Sequence, residues 1–105
     1  MLRVYDVAIE VVRELGPIIE QIGRRNRNLA GQLDRASSAV PLAIAEGTYA
    51  RGGNRHAAYD RAIAEMRESL ACCDVAVAKR YVEPLARTTR AKIDQVIGTL
   101  VNIVR

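Results

Sequence analysis

Phenylalanine and tryptophan are missing from the 105 residues, and four tyrosines are the only aromatics although half of the chain is apolar. A core must then be built from Ala, Val, Ile and Leu, small or branched side chains that let helix axes approach closely. Long apolar runs are missing as well. The stretch Ser38-Ala39-Val40-Pro41-Leu42-Ala43-Ile44-Ala45 falls far short of the roughly 20 apolar residues that cross a bilayer, so a soluble protein without membrane contact is expected. Arg3 and Asp6 stand where an export signal would need its apolar stretch, which makes the cytoplasm the expected compartment.

Two cysteines and a single histidine leave little from which to build a metal centre. Cys72 and Cys73 are adjacent in a helical pattern, where neighbouring side chains diverge by about 100°. They cannot bridge one another without strain, and His56 is remote and at no ligand spacing. Both read as core-filling cysteines, and neither a metal nor a cofactor is expected. His56 reads as a solvated residue in the first turn of a helix. Ser37 and Ser38 have no base nearby in sequence and are better explained by Pro41, and Glu46 has no partner for general-base work. The glycine-rich stretch from Gly47 to Arg55 lacks the Lys-Ser/Thr ending of a nucleotide loop. No catalytic set is expected, and the chain reads as a non-enzyme.

Helical periodicity is what the sequence has in abundance. From Leu2 to Gly23 apolar residues recur at Tyr5, Ala8, Ile9, Val12, Leu15, Ile19 and Ile22, the spacing of an amphipathic helix that faces a core. A second row, Val4, Val7, Val11 and Ile18, widens the apolar surface, and Gly16-Pro17 predicts a bend or local break. After the polar run from Arg24 to Asn28, with Asn28 as candidate N-cap, a second helix carries Leu29, Leu33, Ala36, Val40, Ala43 or Ile44, and Gly47. Pro41 should kink it near Ser37 and Ser38, whose hydroxyls can occupy freed carbonyls. The three glycines between Gly47 and Asn54 mark a linker.

A third helix is predicted from about Asn54 or Arg55 to Arg80, with Tyr59, Ile63, Met66, Leu70, Cys73, Val77 and Tyr81 inward. Pro84 suits the first position of a fourth. Its core row is Leu85, Thr89, Ile93, Val96, Leu100 and Val104, and its second apolar set is Ile97, Val101 and Ile103. Four helices with short connections pack most simply as one antiparallel up-down bundle spanning residues 1–105, an all-α fold with a Pro-kinked second helix. The surplus rows on helices one and four predict an oligomer interface made by Val4, Val7, Val11, Ile18, Ile97 and Val101.

Net charge is +4. In an up-down bundle the first turn, the end of helix three and the start of helix four share one end. There Arg24, Arg25, Arg27, Lys79, Arg80, Arg87, Arg90 and Lys92 stand against Glu83, which leaves the rest of the chain net negative. Arg87 and Arg90 sit near a helix N-terminus, where the dipole disfavours cations, so their placement asks for another reason. The end reads either as a solvated, solubilising surface or as a phosphate-binding one, and in the second case nucleic-acid backbone, RNA or DNA, is the anionic partner it suits. A protein-protein scaffold using the surplus apolar rows is the rival reading.

The segment from Ala36 to Gly47 resembles the hallmark of the four-helix-bundle family that includes the 23S ribosomal-RNA intervening-sequence proteins. The matching positions are Val40-Pro41, Ile44-Ala45-Glu46-Gly47, Arg51-Gly52, Tyr59 and Ser69-Leu70, all between residues 40 and 70, and the resemblance as a whole extends over nearly the whole chain. Ala43 stands where that pattern commonly has Asn, and Cys72 where it often has Glu. The resemblance implies an up-down bundle without enzymatic activity that assembles as a homo-oligomer, a ring-shaped homopentamer. Through a distant branch similar to the accessory variability determinant of diversity-generating retroelements, it also implies nucleic acid and a reverse-transcriptase-like protein as partners.

Overall fold

The computed structural model describes residues 3–105. It consists of α1 (Arg3–Gly23), α2 (Arg27–Tyr49), α3 (Gly53–Ala78) and α4 (Arg87–Val104), with no strand among the described residues. The expected start at Leu2 lies outside them. Each helix packs on two neighbours, α1 on α2 and α4, and α3 on α2 and α4, which is the antiparallel up-down arrangement.

Leu15, Ile22, Leu33, Ile44, Met66, Ile93 and Leu100 lie at the centre, each essentially inaccessible. The most extensive contact joins α2 to α3, where Ala36, Ala43 and Gly47 meet a helix whose buried positions include Ala58, Ala62, Ser69 and Ala76. Small residues on both sides bring the axes close, as a core without Phe or Trp requires. Exposed ion pairs brace the same seam: Arg35 to Glu68 at 2.7 Å and Arg61 to Glu46 at 2.9 Å. Each is worth at most about 1 kcal/mol.

α1 and α2 continue as single helices through Pro17 and Pro41. The Ser37 hydroxyl donates to the Asp34 carbonyl at 3.3 Å, so it does not take up the Ser37 carbonyl that Pro41 leaves without its donor. Asn26, not Asn28, caps α2, its side chain accepting from the Leu29 N–H at 2.9 Å. Gly47 does not end that helix. α2 runs on to Tyr49, and the turn is made at Gly52, whose φ of +56° is the left-handed conformation glycine adopts freely.

Pro84 is likewise outside α4, which begins at Arg87. The connection from 79 to 86 stays irregular while Val82 is buried and Leu85 packs half-buried on the core, closing the end of the bundle.

The largest difference from the sequence pattern is in α1. Val4, Val7 and Val11 join Ala8, Leu15 and Ile22 in the chain's own core. These valines spend nearly all of their surface inside the chain's own core, which corrects their assignment to an oligomer interface. Ile18, Ile97 and Val101 are half-buried against the same core. α1 packs on two neighbours at once and therefore turns a wider apolar arc inward than one core-facing row suggests.

Candidate nucleic-acid interface

The end formed by the α1–α2 turn and the α3–α4 connection gathers the basic residues. Two contacts tie its halves together: the Arg25 guanidinium lies 5.3 Å from the centroid of the Tyr81 ring, and Gln21 Nε2 donates to the Tyr81 carbonyl at 3.3 Å. Stacking of this kind fixes a guanidinium while leaving it charged.

Arg24, Arg25, Arg27, Lys79, Arg80 and Arg87 are exposed. Among the described residues none of the six lies within 4.0 Å of a carboxylate. Two of the eight expected members stand apart. Arg90 faces Asp94 one turn along at 3.6 Å. Lys92 lies on the flank between α1 and α4, bonded to Glu14 and 3.9 Å from Glu10, so its charge is spent inside the fold. The Glu14 carboxyl is held below the usual carboxylate range, first by the hydrogen bond from Lys92 and then by that from Thr89, which donates at 2.7 Å. The bond to Glu14 raises the Lys92 ammonium in turn.

α3 ends in a paired cap. The Arg80 N–H reaches the Val77 carbonyl and the Tyr81 N–H the Ala76 carbonyl, both at 2.9 Å. This closing turn needs its first residue in the left-handed region and normally places glycine there. Arginine occupies it instead, with a φ of 62°. Nothing in the sequence marked that position, because glycine is the signal such a turn ordinarily leaves. At the same end, Ala86 precedes α4 in the N-cap position without any side-chain cap, and the first turn of α4 has no acidic residue. Its first free N–H groups therefore add partial positive charge to an end already cationic.

A cleft of about 190 Å³ beside this end is lined by Cys73, Asp74, Val77, Pro84, Leu85 and Arg90. Burial pushes the Cys73 thiol up to about 11, and Cys72 is raised for the same reason, so both sulfurs are protonated near neutrality. Ser37, Ser69 and Thr89 are buried with their hydroxyls donated to Asp34, Glu65 and Glu14. His56 is exposed in the first turn of α3, and Glu46 is paired with Arg61. No group of three or more His, Cys, Asp or Glu side chains suited to a metal ion occurs among the described residues, and no described helix is long and apolar enough to cross a membrane.

No family model, curated protein or solved structure matches the chain.

Proposed function

We propose that the chain is a non-enzymatic homo-oligomer that holds the phosphate backbone of RNA or DNA against its basic end. The observation that supports this is the set of six exposed cations without carboxylate partners, Arg24, Arg25, Arg27, Lys79, Arg80 and Arg87. Charge of one sign gathered at one end repels itself, and a bound polyanion relieves that repulsion while releasing counter-ions. Arg80 sharpens the point, since a non-glycine residue in the left-handed region costs of order 1 kcal/mol or more.

Among the described residues this end is built from a turn, an irregular connection and helix ends, with no strand. The binding is therefore to backbone, strong at low salt and weakly selective for sequence. Several copies in one assembly would multiply the field.

The test is binding to a mixed-sequence single strand and to a duplex at two or more salt concentrations. A steep fall of affinity with salt is expected. The triple change Arg24→Ser, Arg25→Ser, Arg87→Ser should flatten the slope of log K against log salt by about 2 to 3. Arg51→Ser with Arg67→Ser, two exposed arginines elsewhere, should leave it nearly unchanged. Equal losses in the two variants would sink the assignment to this end, and no binding at all would favour a protein-protein scaffold.

A further inference from the structure

The outward row of α1 reads Arg3, Asp6, Glu10, Arg13, Pro17, Glu20 at steps of three and four residues. Reversed, it complements itself. Laid antiparallel on a second copy about a centre between residues 11 and 12, Arg3 faces Glu20, Glu10 faces Arg13, and Asp6 faces uncharged Pro17. Every charged pair is attractive, and each occurs twice. Within the chain these groups are largely unspent. Among the described residues no ion pair within 4.0 Å involves Arg3, Asp6, Arg13 or Glu20, and Glu10 has only the 3.9 Å approach of Lys92. A shallow groove of about 420 Å³ runs along this row, lined by Arg3, Asp6, Val7, Ile9, Glu10 and Arg13.

Beside the row lies an apolar strip. Ile9, Gly16 and Gly23 repeat at seven residues and so share one line of α1, and Gly23 abuts Ala30 of α2. That line marks the α2 side. Val12 shares it, and neither Ile9 nor Val12 is among the half-buried residues packed on the core. On α2 the outward side carries Ala45, while Leu42 and Tyr49, 69% and 78% exposed and the two most exposed large apolar residues among the described ones, lie on the line of Arg35, which reaches Glu68 of α3, and so at the far edge of this face.

We infer that the outer face of the α1–α2 pair binds a second copy of this chain, with the two α1 helices antiparallel across a two-fold axis. A two-fold axis at right angles to the helices keeps left on left. The apolar strip of one copy then meets the strip of the other, while the charged rows meet by the pairing above. Contact over the 25 Å or so between Arg3 and Glu20 requires a shallow crossing near 20°, the angle of ordinary bundle packing. The long faces measure 42 Å by 20 to 25 Å, which accommodates the roughly 800 Å² per partner of a standard interface.

This pairing rests on the proposal that the chain is a homo-oligomer but not on nucleic-acid binding, since the surface is the flank and not the basic end. Such a dimer is closed, whereas a ring of five needs a head-to-tail contact.

Sedimentation equilibrium of the full chain should give the mass of two copies. Arg3→Glu with Arg13→Glu makes the charged row of α1 acidic, and Glu10→Arg with Glu20→Arg makes it basic apart from Asp6. Each double variant alone should self-associate roughly tenfold or more weakly, and an equimolar mixture should recover the dimer as a heterodimer. Gly16→Glu puts a charged side chain on the strip, where nothing lies within 4 Å of an added β-carbon, and should also give single chains with unchanged helix content by circular dichroism, which keeps the test decisive if a double variant unfolds. A wild-type mass of one chain overturns the pairing and the oligomer together, with salt-dependent binding still to be read at the basic end. A multimer indifferent to these variants, or mixing without recovery, overturns the pairing alone.

Discussion

Gly47 lies against the Tyr59 ring so closely that a β-carbon there would stand 2.5 Å from Cε1 and 2.7 Å from Cδ1. The ring is buried and cannot swing aside without displacing the α2–α3 seam. Gly47→Ala should therefore destabilise the fold by about 1 to 3 kcal/mol, the usual cost of overpacking, even though alanine favours a helix by up to about 1 kcal/mol. Gly31→Ala, with nothing within 4 Å of the added carbon, should gain about 0.5 to 1 kcal/mol. Chemical denaturation of the two variants checks the opposite signs, and equal effects would show that Tyr59 is not the obstacle.

At Arg80 stability and binding should move in opposite directions. Arg80→Gly relieves the left-handed backbone and should stabilise by about 0.5 to 1 kcal/mol, while nucleic acid binds less tightly and with a shallower salt slope. Tm and binding measured on the same variant check this. A variant that is more stable and binds unchanged would remove Arg80 from the interface.

Between α1 and α4 the prediction concerns pH. Glu14 has a carboxyl lowered in the folded state, so its contribution is fully present above the unfolded value of about 4.3 and is lost as pH falls through the lower folded value. Lys92 is raised, so its share is present below about pH 10.4 and disappears as pH rises through its folded value. Glu14→Gln should lower Tm at neutral pH and flatten its decline on acidification below about pH 4.3. An acid limb as steep as that of the unaltered chain would show that other carboxylates control it.

Cys73 should be close to inert. With its thiol at about 11 and its side chain buried, the thiolate fraction at pH 8 is roughly two hundredfold below that of a free cysteine. A disulfide reagent should label the folded chain slowly and both cysteines quickly in denaturant. Fast labelling of the folded protein would give the cleft by Arg90 a chemistry that its geometry does not suggest.

Four helices, their order and most of their inward residues were legible in the sequence because apolar side chains recur every three or four positions. Periodicity alone did not say which of two overlapping rows on α1 meets the core. That is decided by where α2 and α4 pack, and the choice fell on Val4, Val7 and Val11. Gly47 and Tyr59 were each visible as single residues, but their contact joins two helices and needs the register between them. Lys92 misled for a related reason: counting charges near a helix start cannot show that Glu10 and Glu14, a turn apart on α1, stand across from it. Arg24, Arg25, Arg27, Lys79, Arg80 and Arg87 were legible as one cluster because chain reversal at each turn follows directly from short connections.

Chain economy in aromatics gives the molecule an optical property. Without tryptophan, near-ultraviolet absorption and emission come from four tyrosines in distinct settings: Tyr59 inside, Tyr49 in open solvent, Tyr5 half-covered on α1, and Tyr81 beneath the Arg25 guanidinium. Tyr81 is the one tyrosine placed among the exposed cations, so the native chain carries its own fluorophore at that end, and the Tyr81→Phe difference spectrum isolates its signal without a dye.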